Sequence, residues 1–140
     1  MKFPIFLFLL SLFGTACAPK RIQSGDVIGP YTPAIKAGKT LYISGQIALK
    51  PGTTELANND FETEVHQVLE NVVGLLKKAG YETSDLVQCT VYLKDLNDFA
   101  TMNRIYSGYF EQGRTPTRTT IEVSNLPRNA RIEISAVAYR

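Results

Sequence analysis

The 140-residue sequence predicts an α+β fold, a single mixed β-sheet with two helices packed on one face. Segments in which apolar residues alternate with polar ones indicate strands, and two segments with apolar residues at three- and four-residue steps indicate helices. The predicted strand from Leu86 to Leu93 follows a helix of about twenty residues, which suits a crossover connection within one sheet. The chain therefore forms one domain with a modest core.

The N-terminus has the pattern of an export signal. An apolar stretch from Phe3 to Phe13 follows Lys2 and is shorter than the ~20 residues of a membrane span. Small residues precede Cys17, where bacterial lipoprotein signals place the residue that becomes acylated. We predict a lipoprotein-type signal over 1–16, cleavage before Cys17, a tether over 17–27 and a domain over 28–140. The protein would then be exported, either periplasmic or membrane-anchored.

Two alternatives stay open at this end of the chain. Gly14 stands where lipoprotein signals usually carry Leu, so cleavage after Ala16 by ordinary signal peptidase is the first alternative. A buried apolar helix is the second, but the domain that follows looks complete without it. Acylation of Cys17 would leave Cys89 without a partner, so we expect Cys89 to be buried and to form no disulfide.

The longer helix is predicted from Asp60 to Ala79, with Asn59 and Glu62 as a capping pair and Gly80 ending it. The shorter one is predicted from Phe99 to Phe110, with Asp98 as its N-cap. Period-two alternation and turn signals place the strands at Ala34 to Ala37, Thr40 to Ile47, Leu86 to Leu93, Thr117 to Val123 and Arg131 to Tyr139.

Two charged residues stand out in the last two strands. Arg118 and Glu133 each lie within β-branched runs, where a charge needs a partner or a ligand. A guanidinium can hold a carboxylate through two parallel hydrogen bonds, and a carboxylate can activate water. The structural alternatives are an Arg118 paired with Glu122 or the C-terminus, and a Glu133 that is solvated or forms an intersubunit ion pair.

The order of sequence blocks resembles the RidA (YjgF-type) family of imine and enamine deaminases. The blocks are Ile28-Gly29-Pro30-Tyr31, Ser44-Gly45-Gln46-Ile47, Val91 to Phe99, Pro116-Thr117-Arg118, Leu126-Pro127 and Ile132-Glu133-Ile134. The resemblance covers Ile28 to Arg140. It implies a chorismate-mutase-like fold and a homotrimer whose three sheets form a central barrel, with ligand sites between subunits.

The resemblance also implies a reaction, the hydrolytic deamination of 2-imino or enamine acids, such as 2-aminoacrylate or 2-iminobutanoate, to 2-oxo acids and ammonia. It implies that Arg118 and Glu133 are catalytic, and that substrate is bound by Tyr31, Ser44, Asn103, Arg118 and Thr120. No metal or cofactor is needed, because positioning and modest electrostatic assistance suffice for compounds that also hydrolyse unaided.

Three positions depart from the family pattern. Thr120 stands where many members carry Cys, Thr115 where an aromatic residue is common, and Ser135 where a second acid often follows. These departures bear on the substrate more than on the reaction. A non-catalytic exported trimer that binds small carboxylated ligands is therefore an alternative.

An RNA-acting family member is a further alternative, but the charge argues against it. The net charge is +2 and falls to +1 when Lys2 is removed with the signal, without a basic aromatic stripe. His66 is the only histidine and is expected at the surface. One histidine and one buried cysteine cannot make a zinc site.

Overall fold

The computed structural model describes residues 18–25 and 27–140. The predicted signal over 1–16 and the predicted acylation site Cys17 lie outside the described residues. Within the part of the chain that is described, no helix combines the length and the apolar character required to cross a membrane.

Within the described residues, a single sheet and two α-helices form the domain, as the sequence predicts, but the sheet has six strands and not the five predicted. The spatial order of the strands is β1-β2-β3-β6-β4-β5, with β4 and β5 parallel and every other neighbouring pair antiparallel. The elements are β1 (Lys20–Ile22), β2 (Ala34–Ala37), β3 (Thr40–Gln46), α1 (Phe61–Ala79), β4 (Leu86–Leu93), α2 (Phe99–Ser107), β5 (Thr117–Glu122) and β6 (Ile132–Tyr139).

The sheet has one covered face and one open face. Alternate residues of β6, from Ile132 to Ala138, are buried beneath the helices together with the apolar side of α1. The residues between them point to the other face, where Tyr42 and Tyr139 remain 53% and 55% exposed. The helices therefore cover one face only, which confirms the predicted layer arrangement.

The predicted start of α1 is wrong by one residue. Asp60, not Asn59, is the N-cap, because its carboxylate accepts hydrogen bonds from the backbone N–H and the hydroxyl of Thr63 at 2.7 and 2.8 Å. Gly80 ends the helix as predicted, with a φ of 80° and its N–H directed at the last carbonyls. Glu64 of α1 is only 1% exposed, and its buried carboxylate accepts a hydrogen bond from the backbone N–H of Arg131 and pairs with its guanidinium.

The predicted α2 is three residues too long, since the helix ends at Ser107. The predicted N-cap is also wrong: Asp98 makes no side-chain cap, because a short 3₁₀ turn over Leu96–Asp98 precedes the helix. Asp95 caps that turn instead, accepting a hydrogen bond from Asn97 N at 2.8 Å. The apolar side of α2 is buried as expected.

Strand ends differ from the prediction by one residue at β3, β5 and β6, within the ordinary uncertainty of where pairing stops. The larger difference is β1, which lies inside the predicted tether over 17–27. Lys20–Ile22 pairs with β2 and buries Ile22 against the core, so the sheet begins within that segment. Three residues with one apolar member carry too little alternation to predict a strand.

Candidate active site

Arg118 lies on the helix-covered face of the sheet. It is the second residue of β5 and stands in register with Cys89 of β4, which is buried beneath the helices. Residues paired in register point to the same face, so the guanidinium is directed towards α2. Among the described residues Arg118 forms no ion pair, and Glu122 instead accepts a hydrogen bond from Leu96 N.

Side chains of α2 support the guanidinium of Arg118. The Arg118 Cζ lies 4.8 Å from the ring centroid of Tyr106 and 5.8 Å from that of Phe99. Its Nη1 lies 4.0 Å from the Sδ of Met102. Cation–π attraction to the two rings fixes the plane of the guanidinium without consuming its carboxylate-binding hydrogen bonds.

Asn103 and Thr120 lie on the faces of α2 and β5 that also carry Phe99 and Arg118. Asn103 follows Phe99 by four residues, so both lie on one side of α2. Thr120 follows Arg118 by two residues in β5 and points to the same face of the sheet. Its hydroxyl is buried and has no hydrogen-bond partner among the described residues. We call Phe99, Asn103, Tyr106, Arg118 and Thr120 the arginine half of the site.

Glu133 lies on the opposite, open face of the sheet. It alternates with the buried residues Ile132 and Ile134 in β6. Its carboxylate borders a cleft of about 180 Å³. We call the residues that line this cleft the glutamate half: Ile28, Tyr31, Ser44, Gly45, Ile47, Pro127 and Glu133.

The absence of a side chain at Gly45 makes room for the carboxylate of Glu133. The β3–β6 register shifts between Ile43 and Gln46, so Gly45 lies in a bulge of β3. A Cβ at position 45 would lie 2.7 Å from Cδ of Glu133 and closer still to its Oε1. Any larger residue would therefore displace the carboxylate.

Ser44 and Tyr31 shape the other wall of the cleft. The Ser44 hydroxyl donates to the carbonyl of Thr32 at 2.8 Å, and the Ser44 N–H donates to the carbonyl of Pro33 at 2.9 Å. These bonds attach the loop that carries Tyr31 to β3. Tyr31 remains 40% exposed at the cleft, which leaves its ring available to a ligand.

Burial changes the acidity of groups in both halves. Desolvation raises the pKa of Glu133 above its ordinary value of 4.5, and no cation opposes this shift. Burial likewise raises the pKa of the Cys89 thiol, which disfavours its thiolate form. It also raises the pKa of Tyr106, with further contributions from the adjacent thiol. Glu133 is thus the carboxyl group in the two halves whose burial favours its holding a proton.

The structure brings together Tyr31, Ser44 and Glu133 of the predicted site, and separately Arg118, Asn103 and Thr120. It does not bring the two sets together within one chain, because they lie on opposite faces of one sheet. A second, larger cavity of about 370 Å³ lies beyond Tyr31 and is bordered by Lys50, Glu70 and Lys78. Neither Arg118 nor Glu133 lines it.

Sequence reasoning missed Phe99, Tyr106 and Gly45 as members of the site. The sequence places Phe99 and Tyr106 in α2 but does not predict their contact with the substrate site. Phe99 is 39% exposed, and the ring of Tyr106 packs against the guanidinium of Arg118. A four-residue spacing from Phe99 to Asn103 was the available signal. No sequence signal distinguishes Gly45 as a bulge, because its role depends on the close approach of Glu133 from another strand.

Comparison with known proteins relates the chain to a single family. The family model described as Endoribonuclease L-PSP matches residues 21–140. A RutC family protein of Pyrococcus horikoshii is 50% identical over 113 residues, which cover 81% of this chain and 89% of that protein. The human protein named 2-iminobutanoate/2-iminopropanoate deaminase is 43% identical over 129 residues, covering 92% of this chain and 89% of the human one.

Solved structures agree with the sequence comparison. The crystal structure of Escherichia coli TdcF with bound serine superposes with a TM-score of 0.80 at 36% identity. The match covers 86% of this chain and 98% of TdcF. The overall fold is therefore shared with a protein whose crystal structure contains bound serine.

Proposed function

Because this chain belongs to the RidA/YjgF family, we propose that it hydrolyses reactive 2-imino and enamine acids to 2-oxo acids and ammonia. The observation that carries the proposal is the pair of charged groups, a guanidinium without an ion pair among the described residues in one half and a desolvated carboxylate in the other. The human relative at 43% identity is named for this reaction.

Arg118 would hold the substrate carboxylate. Its guanidinium is positioned by the rings of Tyr106 and Phe99, so its N–H groups are available for a bidentate pair. Asn103 and Thr120 lie where the rest of a small substrate would extend. The buried Thr120 hydroxyl, which lacks a partner among the described residues, favours a substrate with a polar group at that end.

Glu133 would act on water. The carboxylate takes a proton from water while the oxygen forms a bond to the imine carbon, and the C=N electrons move to nitrogen, which is protonated. Collapse of the resulting carbinolamine expels ammonia and leaves the 2-oxo acid. An enamine first becomes the imine by gaining a proton at carbon and losing one from nitrogen. The raised pKa of Glu133 suits this exchange, because the same group can accept a proton and return it.

The complete site requires a second copy of the chain. The two halves face away from each other in one protomer, so the arginine half of one protomer would meet the glutamate half of its neighbour. The exposed Tyr42 and Tyr139 on the open face favour burial by self-association. Homotrimers are typical of this family, and we propose that this chain forms one. Light scattering should give three times the chain mass.

Ammonia release from freshly generated 2-iminobutanoate tests the reaction. Purified protein should accelerate release above the spontaneous rate, and the acceleration should disappear with Arg118→Ala. Unchanged release at every protein concentration would refute turnover. Binding of 2-oxo acids without turnover would instead support a carboxylate-binding trimer, an alternative consistent with the bound serine in TdcF and the threonine at position 120.

RNA cleavage, the activity in the family description, has weaker support. It would need an acid and a base beside a phosphate group, and the single histidine, His66, bonds to the hydroxyl of Tyr109 at 3.0 Å and lines neither half. Incubation with RNA, assayed alongside ammonia release, should leave the RNA intact.

We also propose export, on the sequence pattern of residues 1–17. Mass spectrometry of protein recovered from its native cells should find an N-terminus at Cys17 that carries acyl chains. Recovery of an intact Met1 would refute both acylation and ordinary signal cleavage.

A further inference from the structure

Six basic residues lie in or beside the elements that meet where α1 ends. Tyr81 contacts two of them: the Lys36 Nζ lies 4.8 Å from the Tyr81 ring centroid, and the Tyr81 hydroxyl donates to the carbonyl of Lys39. The same carbonyl accepts from Arg140 N, and Arg140 Nη1 donates to the carbonyl of Gly80. We call this surface the basic end: Lys20, Lys36, Lys39, Lys77, Lys78 and Arg140.

The basic end is not neutralised within the domain. None of its six residues forms an ion pair among the described residues, and all except Lys36 are exposed. Beyond the end of α1, the nearest acidic side chains along the chain are Glu82 and Asp85, so the six basic residues outnumber them.

One pair within the basic end is unfavourable for folding. Lys20 of β1 stands directly opposite Lys36 of β2, and like charges at such positions repel. The two residues share the face of the sheet that carries Tyr81. An external anionic surface would relieve this repulsion, whereas folding alone gains nothing from it.

The position of the basic end favours a lipid surface over a nucleic acid. The described chain begins at Ala18, two residues before Lys20, and the apolar sequence from Phe3 to Phe13 and Cys17 lies directly upstream. Any upstream segment that enters a bilayer therefore joins the domain at its basic end. Tyr81 is 2% exposed beneath Lys36, so it offers no ring on which a base could stack.

We propose that the basic end docks the domain onto an anionic lipid surface. Each basic residue within a Debye length of such a surface adds to the attraction, and several together orient a domain that is tethered beside them. The inference concerns a surface separate from both halves of the catalytic site; it rests on the proposed export and does not depend on the proposed reaction.

Vesicle partitioning of the full chain tests this docking. The measured quantity is the ratio of partitioning onto vesicles of phosphatidylglycerol with phosphatidylcholine to partitioning onto phosphatidylcholine alone. The ratio reports the electrostatic part of binding, because insertion of apolar residues contributes equally to partitioning onto the anionic and the neutral vesicles. The wild-type ratio should be well above one and should fall towards one as salt is added.

A matched pair of triple variants locates the effect. Lys20→Gln with Lys39→Gln and Lys77→Gln should reduce the ratio roughly tenfold or more. Lys50→Gln with Lys94→Gln and Arg114→Gln removes the same charge elsewhere and should leave the ratio near the wild-type value.

Three results would overturn the docking proposal. They are equal partitioning of the wild type onto both kinds of vesicle, equal losses in the two triple variants, and displacement from anionic vesicles by RNA that binds the same lysines more tightly. Circular dichroism of both variants should match the wild type, since the substituted side chains are exposed.

Discussion

The two halves of the site are held in place by different means. Packing holds Arg118, whose guanidinium lies over the ring of Tyr106. Backbone geometry holds Glu133, whose carboxylate occupies the space that the missing side chain of Gly45 leaves. A group that only binds needs a fixed orientation, whereas a group that exchanges protons also needs a controlled environment. The difference predicts that the halves fail in different ways.

Loss of the binding group should have the largest effect. Arg118→Ala removes the charge-assisted hydrogen bonds to the substrate carboxylate. The resulting fall in kcat/KM should correspond to about 2–4 kcal/mol of lost transition-state stabilisation. Arg118→Lys should recover little, because a point charge cannot form the paired hydrogen bonds. Steady-state ammonia release measures both. Arg114→Ala, at an exposed arginine paired with Glu111, is the control and should keep wild-type turnover.

Crowding the carboxylate should have the next largest effect. Gly45→Ala places a methyl group where Glu133 now lies, and should lower kcat by roughly a hundredfold, the low end of the range for general bases. Gly74→Ala is the matched control, because no atom lies within 4 Å of a Cβ there and alanine favours the helix.

A double variant shows whether Gly45 acts through Glu133. Glu133→Gln alone should slow turnover by a similar factor while sparing ligand binding. Gly45→Ala combined with Glu133→Gln should be no slower than Glu133→Gln alone. Losses that multiply would show that the bulge serves some other purpose.

Weakening the aromatic support of Arg118 should have a smaller effect. Tyr106→Leu removes a cation–π contact worth about 0.5–2 kcal/mol and should raise KM by up to tenfold with a lesser change in kcat. Tyr106→Phe keeps the ring and discards a buried hydroxyl without a hydrogen-bond partner among the described residues, so its KM should stay at the wild-type value. Equal KM values for the two variants would exclude the positioning role.

The smallest effect concerns stability and pH. Folding raises the pKa of Glu133 above 4.5, so the folded state holds a proton that the unfolded state has lost. The free energy of unfolding therefore falls as pH rises between the unfolded and folded pKa values. Glu133→Gln removes this dependence, and its Tm advantage over the wild type should grow through that window and then level off. Thermal denaturation across a pH series measures it, and a constant Tm difference would contradict the assignment.

Much of the fold could be predicted from the sequence, because the spacing of apolar residues along a segment indicates which of its faces is buried. The strand Leu86–Leu93 and the end of α1 at Gly80 were placed correctly, since each has strong local signals. The start of α1 was misplaced by one residue, because Asn59 and Asp60 are both good caps and only tertiary geometry chooses between them. The strand β1 was missed because its stability comes from pairing with β2.

The site was predictable in its charges but not in its geometry. A charge within a β-branched run is visible in sequence, and this identified Arg118 and Glu133. The face of the sheet to which each side chain points depends on strand register. The observed register directs Arg118 to the helix-covered face and Glu133 to the open face. The role of Gly45 depends on a contact between β3 and β6, and no local pattern reports it.

Placement of the halves on opposite faces has a genetic consequence. If each site joins the arginine half of one protomer to the glutamate half of its neighbour, two inactive alleles can complement one another. Trimers assembled from equal amounts of Arg118→Ala and Glu133→Gln subunits would contain about a quarter of sites with both groups intact. The two inactive variants, unfolded and refolded together, should therefore regain measurable activity. A cell that expresses both variants would likewise keep part of the activity that is lost when it expresses either one alone.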